Sequence, residues 1–151
     1  MSVKLAINGF GRIGRNILRA VIENNRKDVE VVAINDLGSP EMNLHLLKYD
    51  SVHGRFPGSL ALEGNEIRIN NHSIKITAER NPEELPWENV DVALECTGVF
   101  TDKEKASMHL KNGSKKVLVS APANNADKTI VYGVNHSSLT RGDLIVSNAS
   151  C

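Results

Sequence analysis

The sequence predicts an α/β domain built on a doubly wound, mainly parallel sheet. Apolar strand patterns alternate with helical patterns along the chain, and a glycine triplet joins the first strand to the first helix. Gly9, Gly11 and Gly14 have the G-x-G-x-x-G spacing, in which the first glycine makes a tight turn and the second lets backbone approach a pyrophosphate. The third lets the helix pack closely on the strand. This turn therefore predicts a dinucleotide site.

The composition argues against several kinds of partner. The 18 basic and 18 acidic residues cancel, so net charge favours neither nucleic acid nor a membrane surface. No apolar run approaches the roughly 20 residues that span a bilayer, and the chain begins with a strand, so we expect a cytoplasmic protein without a signal peptide. Cys96 and Cys151 are expected to be free thiols. No Cys/His group has metal-ligand spacing, so we expect no metal.

The strand before the glycine turn and the helix after it fit this interpretation. Residues 3–7 form an apolar strand, and the following helix has an apolar face that includes Ile13, Leu18 and Ile22. Arg12 and Arg15 place positive charge at the helix N-terminus, which costs roughly 0.3–1 kcal/mol per charge unless an anion compensates. A pyrophosphate would compensate both. The alternative is that the arginines are screened or paired with carboxylates elsewhere.

The second strand, residues 30–36, ends on a carboxylate. Asp36 lies 22 residues after Gly14, near the offset at which an acidic residue hydrogen-bonds the ribose in dinucleotide-binding folds. No cation follows at residues 37–39 to accept a 2′-phosphate. NAD is therefore favoured over NADP.

The middle of the chain changes its periodicity. Ser39 as the cap and Pro40 at the first helical position predict a second helix that ends near Tyr49. Around residues 57–80 apolar side chains alternate with polar ones, which predicts a small three-stranded antiparallel excursion from the parallel sheet. Histidines 53 and 72 are expected at turns or at the surface.

The last third of the chain returns to alternating strands and helices. After a strand at residues 90–98, the capping box of Thr101 and Glu104 predicts one helix that ends near Asn112. Further strands are predicted at residues 116–122, 129–135 and 144–148.

Small or hydrogen-bonding residues stand at the predicted carboxyl ends of the strands, where an open parallel sheet binds its ligands. Cys151 follows the last of these strands and is a candidate nucleophile. Cys96 is expected to pack beside the cofactor turn without reacting.

Seven segments resemble phosphorylating glyceraldehyde-3-phosphate dehydrogenases, and they follow in order along the whole chain. They include Asn-Gly-Phe-Gly-Arg-Ile-Gly-Arg near the start and Ser-Asn-Ala-Ser-Cys at the end. The segments are residues 8–15, 33–36, 48–55, 79–80, 96–100, 120–122 and 147–151.

The resemblance implies a Rossmann-type NAD-binding domain over residues 1–151, with the family's catalytic domain absent. It implies that the backbone of Arg12 and Ile13 holds the pyrophosphate, that Asp36 holds the adenosine ribose, and that Arg80 flanks the adenine. The rest of the cofactor groove would be lined by Thr97, Gly98, Phe100 and Ser120.

The resemblance also implies a glycolytic oxidoreductase activity for the longer protein. Cys151 would attack D-glyceraldehyde 3-phosphate, NAD would accept the hydride, and inorganic phosphate would release 1,3-bisphosphoglycerate. The family is usually a homotetramer. We expect this chain alone to be inactive and to self-associate through an apolar groove.

Two other functions remain open at this point. Erythrose-4-phosphate dehydrogenases share many of these motifs, although residues 33–36 and 120–122 resemble the glyceraldehyde enzyme more closely. A dinucleotide-binding module without chemistry is the other alternative.

Overall fold

The computed structural model describes residues 1–150, and strands and helices alternate through most of them. The first half contains β1 (Val3–Asn8), α1 (Arg12–Glu23), β2 (Val29–Asn35), α2 (Pro40–Lys48), β3 (Tyr49–Asp50), β4 (Gly54–Arg55), β5 (Leu60–Glu63), β6 (Glu66–Ile69) and β7 (His72–Thr77). The second half contains β8 (Val92–Glu95), α3 (Lys103–Ala106), α4 (Met108–Lys111), β9 (Lys116–Val119), β10 (Lys128–Thr129) and β11 (Ile145–Ser147). Short 3₁₀ helices lie at Pro82–Glu84 and His136–Ser138.

Within residues 1–150, nine strands form one sheet in the order β10-β11-β9-β8-β1-β2-β7-β6-β5. The pairs from β10 to β7 are parallel, and β6 and β5 continue the sheet in antiparallel fashion. The predicted doubly wound, mainly parallel sheet and its antiparallel excursion are confirmed. β3 and β4 form a separate antiparallel ribbon. The direction of winding reverses at β1, between β2 and β8, where this fold class binds its ligands.

The core has two apolar layers, one on each face of the sheet. Along β1, Leu5 and Ile7 belong to one cluster and Ala6 belongs to the other, as the two-residue period of a strand requires. Leu18 of α1 packs in the first layer, and Trp87 packs in the second. Within the described residues, no helix is long and apolar enough to cross a membrane.

Helix caps follow the prediction at α2 and depart from it at α3. The hydroxyl of Ser39 accepts the N–H of Met42, as predicted. The predicted cap at Thr101 is wrong, because Asp102, a stronger capping residue, accepts the N–H of Lys105 at 2.8 Å. The single predicted helix is two short helices that meet at Ser107.

Ser107 itself gives a reason for that interruption. Its hydroxyl donates to the carbonyl of Glu104 at 2.5 Å, and such a bond from a side chain back to the helix competes with the regular ladder.

Two other local expectations are wrong. The strand predicted at 129–135 is only β10, because the side chain of Asn135 takes the backbone partners that a strand would need. Its side-chain NH₂ donates to the carbonyl of Thr129, and its side-chain oxygen accepts the N–H of Val131. These two hydrogen bonds close a turn. Ile13, expected on the buried face of α1, is 53% exposed.

Replacement of Gly14 by alanine is expected to lower the free energy of unfolding by about 1–3 kcal/mol. A Cβ at residue 14 would lie 2.3 Å from the carbonyl oxygen of Gly9 and 3.0 Å from Cγ2 of Ile7. Urea unfolding followed by circular dichroism measures the loss.

The matched control for Gly14→Ala is Gly11→Ala, because no described heavy atom lies within 4 Å of a Cβ built there. Its expected loss is less than about 1 kcal/mol. Equal losses for the two variants would contradict the importance of this close approach between helix and turn.

Candidate functional site

A cleft of about 500 Å³ opens over the carboxyl ends of β1, β2 and β8. This is the position where the reversal of strand order predicts a ligand site. The residues that line it are Asn8, Gly9, Gly11, Asn35, Asp36, Leu37, Glu79, Arg80, Cys96, Thr97, Val99 and Phe100.

The glycine turn forms one wall of the cleft, and backbone contacts impose its shape. Gly9 has φ +93°, and a Cβ there would lie 2.8 Å from the backbone of Cys96 and of Thr97. Its N–H donates to the carbonyl of Asn35 at 2.8 Å. At Gly11, by contrast, the space that a Cβ would occupy holds no described atom. Backbone at Gly11 is therefore accessible to a ligand in the cleft.

The first turn of α1 begins at the edge of the cleft. Gly11 is its N-cap residue, and within residues 1–150 no side chain caps this helix. The first turn contains no acidic residue. The positive end of the helix dipole and its first N–H groups are therefore available to an anion.

Asp36 is held in a fixed orientation beside the glycine turn, at the end of β2. One carboxylate oxygen accepts the N–H of Phe10 at 2.8 Å, and the other accepts the N–H of Gly38 at 2.9 Å. A carboxylate has about four acceptor positions, so these two bonds leave acceptor capacity for a diol. The same bonds connect the glycine turn to the loop after β2.

The arginines at the start of α1 have partners within the chain. Arg12 forms an ion pair with Asp50 at 3.1 Å, and Arg15 donates to the carbonyl of Phe10 at 3.0 Å. The N–H groups of His53 and Val52, and then the Arg12 guanidinium, hold the pKa of Asp50 well below its usual range. Of the two partners that the sequence leaves open for the Arg12 side chain, an anion or a carboxylate elsewhere in the fold, the structure shows the carboxylate. The ion pair uses the guanidinium of Arg12 and not its backbone N–H.

Cys96 lies in the cleft and is partly buried. Burial raises the pKa of its thiol to about 11, although a hydrogen bond with Ser120 acts in the opposite direction. At neutral pH the group is a thiol and a poor nucleophile. This agrees with the expectation that Cys96 packs beside the turn without reacting.

Most of the predicted cofactor residues meet at this cleft. Six of them line it: Gly9, Gly11, Asp36, Arg80, Thr97 and Phe100. Three others, Arg12, Ile13 and Gly14, form the adjoining first turn of α1, and Gly98 lies between two lining residues. Ser120 is not among the lining residues but contacts Cys96. Cys151, the predicted nucleophile, lies outside the described residues.

Sequence reasoning missed part of the cleft floor. Asn35 and Glu79 line the cleft, and buried Glu95 lies beneath it and accepts a hydrogen bond from Asn8. The available signal was a polar residue near the end of each of three apolar strands. The two histidines expected at the surface, 53 and 72, are exposed. Among residues 1–150, no group of three or more His, Cys, Asp or Glu side chains could hold a metal.

Residues 3–103 match the family model described as "Glyceraldehyde 3-phosphate dehydrogenase, NAD binding domain". The chain belongs to this family. The match confirms the family resemblance, and it confirms NAD as the cofactor for which the domain is named.

Curated relatives support the same assignment. The chain is 64% identical to a glyceraldehyde-3-phosphate dehydrogenase of Cereibacter sphaeroides over 100% of this chain and 45% of the relative. The corresponding enzyme of Xanthobacter flavus is 63% identical, over 100% of this chain and 46% of the relative. That of Geobacillus stearothermophilus is 51% identical, over 100% and 45%. The chain thus spans about half the length of these relatives.

Alkylation of Cys96 is expected to be slow at pH 8 and to accelerate as the pH rises towards 11, because the thiolate is the nucleophile. A thiol with a pKa of about 11 is about one part in a thousand thiolate at pH 8, against about one in four for an unperturbed thiol. In Cys151→Ser, Cys96 is the single cysteine in the sequence, so mass spectrometry with iodoacetamide reports on it alone. A rate at pH 8 equal to that of free cysteine would contradict the burial.

Proposed function

We propose that the chain binds NAD in this cleft, as the cofactor-binding part of a phosphorylating glyceraldehyde-3-phosphate dehydrogenase. The observation that carries the proposal is the position of Asp36. Its carboxylate is bonded to the N–H of Phe10 in the glycine turn, so a ribose site adjoins the start of α1. A dinucleotide needs these two sites side by side, because its pyrophosphate is attached to the ribose.

The pyrophosphate is assigned to the N-terminus of α1. Backbone N–H groups of Arg12 and Ile13 lie in its first turn, and the open space at Gly11 lets an anion approach them. Gly9 and Gly14 let the turn pack closely against neighbouring backbone, and so they determine the shape of the site. The helix dipole adds favourable electrostatics for the diphosphate.

The adenosine half is assigned to the side of the cleft at β2. Asp36 accepts the ribose hydroxyls, and Arg80, which is exposed, flanks the adenine. Negative charge at Asp36, with no cation at residues 37–39, opposes a 2′-phosphate. The remainder of the dinucleotide follows the other side of the cleft, past Thr97, Gly98, Phe100 and Ser120.

For the natural protein that contains this chain, we propose oxidation and phosphorylation of D-glyceraldehyde 3-phosphate. NAD accepts the hydride when it is bound. Cys151 forms the covalent bond to the aldehyde carbon, and inorganic phosphate releases the acyl group as an acyl phosphate. Support comes from the relatives that are named glyceraldehyde-3-phosphate dehydrogenase, and from the position of Cys151 after β11 in the sequence.

A cytoplasmic homo-oligomer is the proposed assembly. Several large apolar side chains are exposed on this chain, including Val52 at 72%, Tyr132 at 85% and Val134 at 79%. Tyr132 and Val134 lie two residues apart in the sequence, and exposed apolar side chains grouped in this way favour association between copies.

Replacement of Asp36 by alanine is expected to weaken NAD binding about tenfold or more, through loss of charge-assisted hydrogen bonds to the ribose. The preference for NAD over NADP should fall as well, because the repulsion of a 2′-phosphate is removed. Isothermal calorimetry with both dinucleotides measures the two effects. Asp28→Ala is the matched control, since Asp28 is exposed, pairs with Arg26 and lies before β2, away from the cleft. Tighter binding of NADP by the unsubstituted chain would contradict the proposal.

Phosphate-dependent NADH formation from D-glyceraldehyde 3-phosphate is expected of the natural protein that contains this chain. It should be lost in Cys151→Ser, whereas Cys96→Ser should retain it, because Cys96 remains a neutral thiol. Absorbance of NADH at varied phosphate concentration is the measurement. A higher kcat/KM with erythrose 4-phosphate would assign the other sugar phosphate as substrate.

A further inference from the structure

A row of polar side chains crosses the sheet directly beneath the cleft. Glu95, Asn8, Asn35 and Thr77 occupy one register on four adjacent parallel strands, β8, β1, β2 and β7. Glu95 is 1% exposed, and both asparagines are 3% exposed. Buried polar groups in otherwise apolar strands must satisfy one another.

The hydrogen bonds along this polar row all run in one direction. Thr77 Oγ1 donates to Asn35 Oδ1 at 2.8 Å, and Asn35 Nδ2 donates to Asn8 Oδ1 at 2.8 Å. Asn8 Nδ2 then donates to Glu95 Oε1 at 2.7 Å. Because a carboxylate accepts hydrogen bonds and does not donate them, Glu95 sets the orientation of both amides.

Glu95 also holds the wall of the cleft at Thr97. Its second oxygen accepts the N–H of Thr97 at 3.0 Å and the hydroxyl of Thr97 at 2.6 Å. The hydroxyl in turn accepts the N–H of Val99 at 3.1 Å, which fixes the turn at Gly98. Glu95 itself is not among the cleft-lining residues.

His109 completes the set of donors around Glu95. Its Nε2 lies 2.8 Å from Glu95 Oε1. Because a carboxylate only accepts, we assign Nε2–H as the donor of this bond. The ring is fully buried and stacks on Trp87, with centroids 5.4 Å apart and planes at 15°. Among residues 1–150, Nδ1 has no hydrogen-bond partner, so the contact with Glu95 is the polar anchor of this side chain.

The other end of the polar row reaches the opposite wall. Asn35 Oδ1 accepts the N–H of Glu79 at 2.8 Å, and Asn35 Nδ2 donates to the carbonyl of Glu79 at 2.8 Å. Glu79 and Arg80 both line the cleft. The polar row therefore joins Thr97 on one wall to the Glu79–Arg80 segment on the other.

We propose that Glu95 and His109 are positioning residues of the cofactor site, which orient the polar row and so set the separation of the two walls that hold NAD. This inference rests on the proposed binding of NAD in the cleft. Neither residue lines the cleft. Glu95 acts through Thr97 and through Asn8, which passes its orientation to Asn35, and His109 acts through Glu95.

The variant Glu95→Gln isolates this role, because no orientation of the new amide satisfies the polar row. An NH₂ group at the Oε2 position faces the N–H of Thr97, and at the Oε1 position it faces the NH₂ of Asn8. If Asn8 and Asn35 both invert to accommodate it, the NH₂ of Asn35 faces the N–H of Glu79. The disturbance therefore reaches the opposite wall of the cleft.

The experiment measures NAD affinity by calorimetry and amide resonances by NMR on the full 151-residue chain. Glu95→Gln is expected to weaken NAD binding about tenfold. It should also shift the NMR resonances of the backbone amide of Glu79 and the side-chain amide of Asn35. Asn35 lies on β2, two strands from β8, and Glu79 follows β7, three strands from β8. Glu66→Gln is the matched control, because Glu66 is exposed on β6, and both readouts should stay at their unsubstituted values. Unchanged affinity in Glu95→Gln would overturn the inference.

Two variants of His109 separate positioning from packing. His109→Gln retains an NH₂ donor for Glu95 and is expected to bind NAD within about threefold of the unsubstituted chain, whereas His109→Leu, with no donor, should lose about tenfold. Equal losses in both would overturn the role assigned to the hydrogen bond. If Glu95→Gln does not fold, the two His109 variants still test whether the hydrogen bond to Glu95 affects NAD affinity.

The proposed function and this inference fail in different ways. If the unsubstituted chain does not bind NAD, the proposed function fails, and the resonances of Glu79 and Asn35 still decide whether Glu95 orients the polar row. If NAD binds and is lost in Asp36→Ala but not in Glu95→Gln, only the inference fails.

Discussion

The architecture of the cleft depends on backbone contacts too close for any side chain. Gly9 packs against the backbone that follows β8, and Gly14 packs against the carbonyl of Gly9. These contacts bring the start of α1, the end of β1 and the turn after β8 to one point. A Cβ at either position would force the helix or the turn out of its present place. The first and third glycines therefore act through packing, while the second leaves space for a ligand.

The polar row gives the strand ends beneath this turn a defined arrangement that apolar packing alone would leave loose. Apolar contacts tolerate small shifts in any direction, whereas a hydrogen bond needs a donor–acceptor distance of about 2.7–3.2 Å and weakens steeply when its angle falls below about 120°. Glu95 terminates the row on a group that only accepts, so each amide has one satisfactory orientation. The cost of burying this carboxylate is offset by four donors, from Asn8, His109 and Thr97.

What the sequence predicts well here is local in the chain. The glycine turn lies between β1 and α1, Asp36 directly follows β2, and the Ser39 cap depends on Met42 three residues later. All three appear at the predicted positions. The polar row depends on contacts between residues 8, 35 and 95, which only the strand order brings together. No periodicity reveals such a meeting. The errors at Thr101 and at residues 129–135 have a related cause, because Asp102 and Asn135 compete with the backbone through side-chain bonds that a pattern of apolar residues does not register.

The two carboxylates of the site, Asp36 and Glu95, have different roles because they differ in exposure. Asp36 is half-buried at the cleft, and its two backbone bonds hold it in place with acceptor capacity free. A carboxylate held in this way does not lose side-chain entropy when a ribose binds, so more of the hydrogen-bond energy appears as affinity. Glu95 is buried with all its acceptor positions used, so it has nothing left to offer a ligand. Its effect on binding must pass through the groups that it orients. Asp36, at the surface of the cleft, is thus assigned to recognition of the ribose, and Glu95, buried beneath the cleft, to support of the cleft walls.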